Sequence, residues 1–165
     1  MANHLGLALQ DLAEAELDLA DEWVKVGERH AVEHDVFHMA ETLSREGRAH
    51  AERLVPFLER YGARSSKADG ADPGESRLAG LRRKTSELLG REPAAGLLLL
   101  ADLQRLYVMT EEASIGWTIA GQAAQAARDP DLLALVTVCH GETLMQAKWL
   151  TTRIKEAAPQ TLVVG

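Results

Sequence analysis

Four glutamates and a histidine in this 165-residue chain fall where apolar side chains are expected. Glu16 lies on the stripe of Leu9, Leu12, Leu19 and Trp23. Glu46 and His50 lie between Leu43 and Leu54, Glu112 between Val108 and Ile115, and Glu142 between Cys139 and Leu150. Burying carboxylates without compensation is costly. Four at one height would repel one another, so they must be protonated, paired with a cation or bound to metal. Two divalent ions would balance four such charges. Carboxylate oxygens beside an imidazole suit iron or manganese.

The elements that must hold these residues are helices. Ala, Leu, Glu and Arg dominate, aromatics are 4%, and alternating β-branched runs are missing. Apolar residues recur at steps of three and four over four segments. The first runs from Leu5 to His30. The second runs from Asp35 to Tyr61 through Val36, Met39, Leu43, Leu54 and Phe57, with Gly62 as its stop. The third starts at Pro93 and runs to Ala127 through Leu97, Leu98, Ala101, Val108, Ile115 and Ile119. After Asp129-Pro130-Asp131 the fourth runs to Ala158, through Leu132, Leu135, Cys139 and Leu150. Short turns make each consecutive pair an antiparallel hairpin.

The expectation is therefore an all-α, antiparallel four-helix bundle forming a single domain over residues 1–165. Hairpin one covers 5–61, a long crossover 62–92, hairpin two 93–158 and an apolar tail 159–165. The crossover is expected to hold a short extra helix around Leu78, Leu81, Leu88 and Leu89. A shift of 96 residues lays Leu12 on Val108, Glu16 on Glu112 and Leu19 on Ile115. It also lays Leu43 on Cys139, Glu46 on Glu142, His50 on Gln146 and Leu54 on Leu150.

The net charge of −7 argues against a general nucleic-acid binder. The residues up to Trp23 carry six acidic side chains and do not read as a signal peptide. The longest apolar run, Ala94 to Ala101, ends at Asp102, too short to span a bilayer. A single cysteine, Cys139, fits a reducing, cytoplasmic setting.

These residues resemble the ferritin-like superfamily, which includes the rubrerythrins and ferritins. That resemblance implies a di-iron centre with one Glu from each of two helices and a Glu-x-x-His pair from each of the other two. Glu16 and Glu112 match the single carboxylates, Glu46 with His50 matches one pair, and Glu142 with Gln146 stands at the other. The spacing of Glu46 and His50 is one residue longer than the pattern, and Gln146 replaces a histidine. The implied ligands are thus Glu16, Glu46, His50, Glu112, Glu142 and Gln146, holding one or two iron or manganese ions. The implied chemistry is oxidation of Fe(II) by dioxygen or peroxide.

The alternative is a helical module without metal, its carboxylates networked with Arg53, Arg105 or Lys148, acting through its surface in a stress or regulatory role. His30, His34 and His38 form an i, i+4, i+8 series followed by Glu41, which could ligate a metal near the first hairpin turn, with surface or interface positions as the default reading. His140 reads as an outer-shell or surface residue, and Cys139, Trp23, Trp117 and Trp149 as packing. Tyr107 reads equally as packing or as a redox neighbour. Bundles of this kind often form homodimers. The tail from Pro159 packs on its own bundle, is disordered, or offers a docking peptide to a protein partner.

Overall fold

The computed structural model describes residues 3–63 and 95–164. They form four long α-helices: α1 (His4–Arg29), α2 (His34–Arg60), α3 (Ala95–Ala127) and α4 (Pro130–Pro159). A single π-helical turn, Gln160–Val164, continues α4. There is no strand among the described residues. The expected crossover helix around Leu78 to Leu89 lies outside them.

Local chemistry sets the helix ends. The Asn3 side chain accepts the Gly6 N–H at 2.8 Å and caps α1. Gly62, at φ 71°, stops α2 in the left-handed conformation that glycine tolerates best. Asp129 caps α4 by accepting the Leu132 N–H at 3.0 Å, with Pro130 in the first turn behind it.

Each neighbouring pair runs antiparallel. Along α1 and α2, Gly6 lies beside Tyr61 and Gly27 beside Ala40. Along α1 and α3, Leu12 meets Gly116 and Arg29 meets Asp102. Along α3 and α4, Gly121 meets Val136 and Ser114 meets His140. Along α2 and α4, Arg60 meets Asp129 and Asp35 meets Arg153. The end of α2 and the start of α3 therefore lie at opposite ends of the bundle. Two hairpins with that polarity require a long crossover, an arrangement compatible with a ferritin-like fold.

The core has two apolar halves. One gathers Leu9, Leu12, Leu54, Trp117, Leu132 and Cys139. The other gathers Leu19, Trp23, Val36, Leu43, Leu103 and Leu150. Each fully buried large side chain contributes about 1.5–3 kcal/mol. Between the halves lies a layer of polar residues at mid-height, and that layer holds the site.

The register expected for α3 is corrected. Val108, Ile115 and Ile119 are 66%, 59% and 53% exposed, while the buried face carries Leu99, Leu103, Leu106, Thr110, Ala113, Trp117 and Ala120. This helix is apolar around most of its circumference, so periodicity alone could not select its inner side. The polar residues on that inner side are compensated: Asp102 by Arg29, Arg105 and His30, and Thr110 by the Leu106 carbonyl. Burial pairs Leu9 with Leu106, Glu16 with Ala113 and Trp23 with Ala120, one residue beyond the expected shift. The shift holds for α2 and α4, where Leu43 and Cys139, His50 and Gln146, and Leu54 and Leu150 are all buried.

The tail is also redrawn at its start. Pro159 belongs to α4, and the wider turn after it brings Thr161 against Gly96 at the start of α3. Leu162, Val163 and Val164 remain 63%, 83% and 71% exposed.

Candidate metal centre

Glu16, in the middle of α1, is fully buried. Its Oε1 accepts the Trp117 indole N–H at 2.6 Å and faces His50 Nδ1 at 3.1 Å. Among the described residues its Oε2 finds no hydrogen-bond partner. Gly47 lets α2 approach α1 closely here, because a Cβ there would lie 3.0 Å from the Glu16 carbonyl oxygen and 3.2 Å from the Ala20 Cβ.

His50 is 1% exposed and uses both ring nitrogens. Its Nε2 lies 3.1 Å from Glu142 Oε2, on a side chain 39% exposed. Its ring also meets Trp117 edge-on at 5.7 Å. Burial opposes a charge on His50, but hydrogen bonds with Cys139 and Glu16 and the Glu16 charge outweigh it, pushing the imidazole up to about 11.

Glu46, one turn before His50, accepts the Gln146 amide N–H at 2.9 Å. Its pKa is raised, chiefly by burial and then by the charges of Glu142 and Glu16, against the Gln146 hydrogen bond and His50. Gln146 is buried and in turn accepts the Trp23 indole N–H at 3.4 Å. Trp149 packs on Trp23 with ring centroids 6.0 Å apart.

Glu46, His50 and Glu142 each offer a ligand atom, and these atoms lie within 4.8 Å of one another. Three donors each about 2.1 Å from one divalent ion lie mostly about 3–3.6 Å apart, so binding would draw any pair near the upper bound together by about 1 Å. The group sits on the seam between α2 and α4, whose cross-links are polar along its length. Arg153 bonds Glu33 and Asp35 at one end, and Arg60 bonds Asp129 at the other. The partly exposed Glu46 and Glu142 open this seam to solvent at mid-height.

Of the six residues expected as ligands, three form this group. Glu16 stands behind His50, and Gln146 behind Glu46. Glu112 does not join them. It is exposed on α3, beside Asp11 and Ile115 in a shallow groove between α1 and α3. Arg105, expected as a partner for the four glutamates, bonds two other buried carboxylates, Glu22 at 2.9 Å and Asp102 at 3.1 Å.

The histidine series also separates. His30 is buried with Nε2 at 2.8 Å from Asp102 Oδ2, while His34 and His38 are exposed, because the turn between α1 and α2 falls inside the series. His140 is half-buried against the Ser114 hydroxyl at 3.0 Å. The indole donors, Trp23 and Trp117, expected as packing residues, anchor Gln146 and Glu16. The only signal available was their scarcity in an aromatic-poor chain. Set against known proteins, the chain matches no family model, no curated protein and no solved structure.

Proposed function

We propose that the protein is a ferritin-like bundle that binds one divalent iron or manganese ion through Glu46, His50 and Glu142. The observation carrying this reading is that three ligand-type side chains converge on a polar, solvent-facing seam while Glu16 occupies the far nitrogen of His50. A metal-ligating histidine characteristically donates its other ring N–H to a carboxylate, which fixes the tautomer and aims the free lone pair at the ion. Glu16 suits that role, and Trp117 holds Glu16. The donor set of two carboxylates and one imidazole matches iron or manganese. Bound there, such an ion would supply a redox centre for the oxidation of Fe(II) by dioxygen or peroxide. The exposed position of Glu112 favours one ion over two.

Metal content after purification tests this reading. Iron or manganese near one per chain is expected in the wild type, with loss in Glu46→Ala and Glu142→Ala. Near-zero metal in all three, before and after loading, would sink it.

A second reading is supported by the contact of both His50 nitrogens with carboxylates. A doubly protonated His50 would then serve as the cation of a metal-free Glu16–His50–Glu142 network inside a non-enzymatic module. Thermal melting separates the two, since Fe(II) or Mn(II) raises the melting point only where a site exists.

A further inference from the structure

Gln146 is 2% exposed and held from both sides, by Trp23 and by Glu46. An indole N–H can only donate, so the amide end facing Trp23 is the carbonyl oxygen. The other end, the NH2 group, must then face Glu46, which as a carboxylate accepts. Trp149, packed on Trp23, helps hold the indole in place.

We propose that Trp23 keeps the candidate centre open. By occupying Gln146 Oε1, it withholds a neutral oxygen ligand from an ion held by Glu46, His50 and Glu142. Gln146 then orients Glu46 rather than binding the ion, and coordination positions remain for a small exogenous ligand entering along the α2–α4 seam. Trp23 is a positioning residue acting through Gln146. In zinc sites, the contrast between closed structural sets and open reactive sets shows how much one extra protein ligand changes. This inference rests on the metal reading above.

Manganese(II) is the probe, read by water-proton relaxation and by titration with azide. The wild type is expected to bind Mn(II) with exchangeable water. Trp23→Phe keeps most of the ring volume but has no N–H, so Gln146 can turn its oxygen to the ion. That variant is expected to retain Mn(II), lose roughly one exchangeable water and bind azide about tenfold more weakly. Adding Gln146→Leu to Trp23→Phe removes the amide oxygen and should restore the water.

Should Trp23→Phe fail to fold, Gln146→Glu serves instead. One of its carboxylate oxygens accepts the Trp23 N–H and the other reaches the ion, so it too should lose bound water. Mn(II) bound with wild-type relaxation and azide affinity in the folded variants overturns this inference alone. A wild type that takes up no Mn(II) overturns the metal reading and this inference with it.

Discussion

Trp117 donates its indole N–H to Glu16 across 2.6 Å, from α3 to α1, at the height where the two apolar halves of the core meet. The same carboxylate oxygen faces His50, so a single buried atom ties α1 to α2 and α3. Glu16→Ala would leave the indole N–H and the imidazole without that acceptor and open a cavity. It is expected to cost about 3 kcal/mol or more, lowering Tm by about 6–12 °C. Glu16→Gln keeps an acceptor for Trp117 and should destabilise less. It should still weaken metal binding by about 10–100-fold, because a neutral amide no longer lends its negative charge to make the His50 imidazole a more basic ligand. Calorimetry and metal titration on the two variants check this, and equal metal affinity in wild type and Glu16→Gln would remove Glu16 from the outer shell.

The imidazole of His50 gives the pH dependence. A group held at about 11 in the folded chain, against 6.5 as its ordinary value, contributes stability that is whole below about pH 6.5. That stability is lost as pH rises from there towards 11. Metal-free protein should therefore weaken on the alkaline side, and His50→Gln should flatten that limb. A metal ion must displace the Nε2 proton, so binding releases a proton and tightens with pH. Calorimetric titration in buffers of different ionisation enthalpy measures the release. Buffer-independent heats would contradict it.

The fold and the grouping of Glu46, His50 and Glu142 were legible in the sequence because α2 and α4 bury stripes whose apolar residues bracket those three. Glu46, His50 and Glu142 could be placed from periodicity, since Leu43, Leu54, Cys139 and Leu150 bracket them on buried stripes. Glu112 could not, because α3 offers apolar residues on both sides and only the polar partners choose between them. Asp102, the residue that interrupts its longest apolar run, marks the inner face, satisfied there by Arg29 and Arg105. The two indole anchors were invisible for another reason: a hydrogen bond from one helix to another leaves no trace in the spacing along either of them.

The misplacement of Glu112 yields a direct test. As an exposed residue outside the ligand group, Glu112→Ala should change stability by no more than about 0.5 kcal/mol. Its metal stoichiometry should equal that of the wild type, near one ion per chain. Two ions per chain in the wild type, falling to one in this variant, would restore the two-ion centre implied by the ferritin-like pattern.

Asp129 governs the acid side. Burial works against its charge, but hydrogen bonds from Tyr61, the Leu132 N–H and Arg60 hold the carboxyl at about 2. Depressed below its ordinary 3.8, it contributes stability that is present above about pH 4 and is lost as pH falls towards 2. Asp129→Ala removes the cap of α4 and should cost about 1–2 kcal/mol near neutral pH. Its denaturant midpoint should also depend less on pH between 4 and 2, which parallel urea titrations would show.

Asp102 anchors the opposite end of the bundle. It is fully buried, takes both oxygens' worth of contact from Arg29 at 2.7 and 2.6 Å, and meets His30 at 2.8 Å and Arg105 at 3.1 Å. Arg105 bonds Glu22 as well, so a network of charges joins α1 and α3 there, beside the apolar cluster that holds Trp23, Val26, Leu99 and Leu103. Removing the central carboxylate takes from Arg29 and Arg105 their common partner and leaves Arg105 with Glu22 alone. Asp102→Ala is therefore expected to cost about 3–5 kcal/mol in chemical denaturation. Arg29→Ala should cost less, because that side chain is 30% exposed and Arg105 and His30 still compensate the buried charge. Neither variant touches Glu46, His50 or Glu142, so Mn(II) affinity measured below the unfolding transition should match that of the wild type. A fall in affinity alongside the fall in stability would mean that this network, at the far end of α1, helps position the centre.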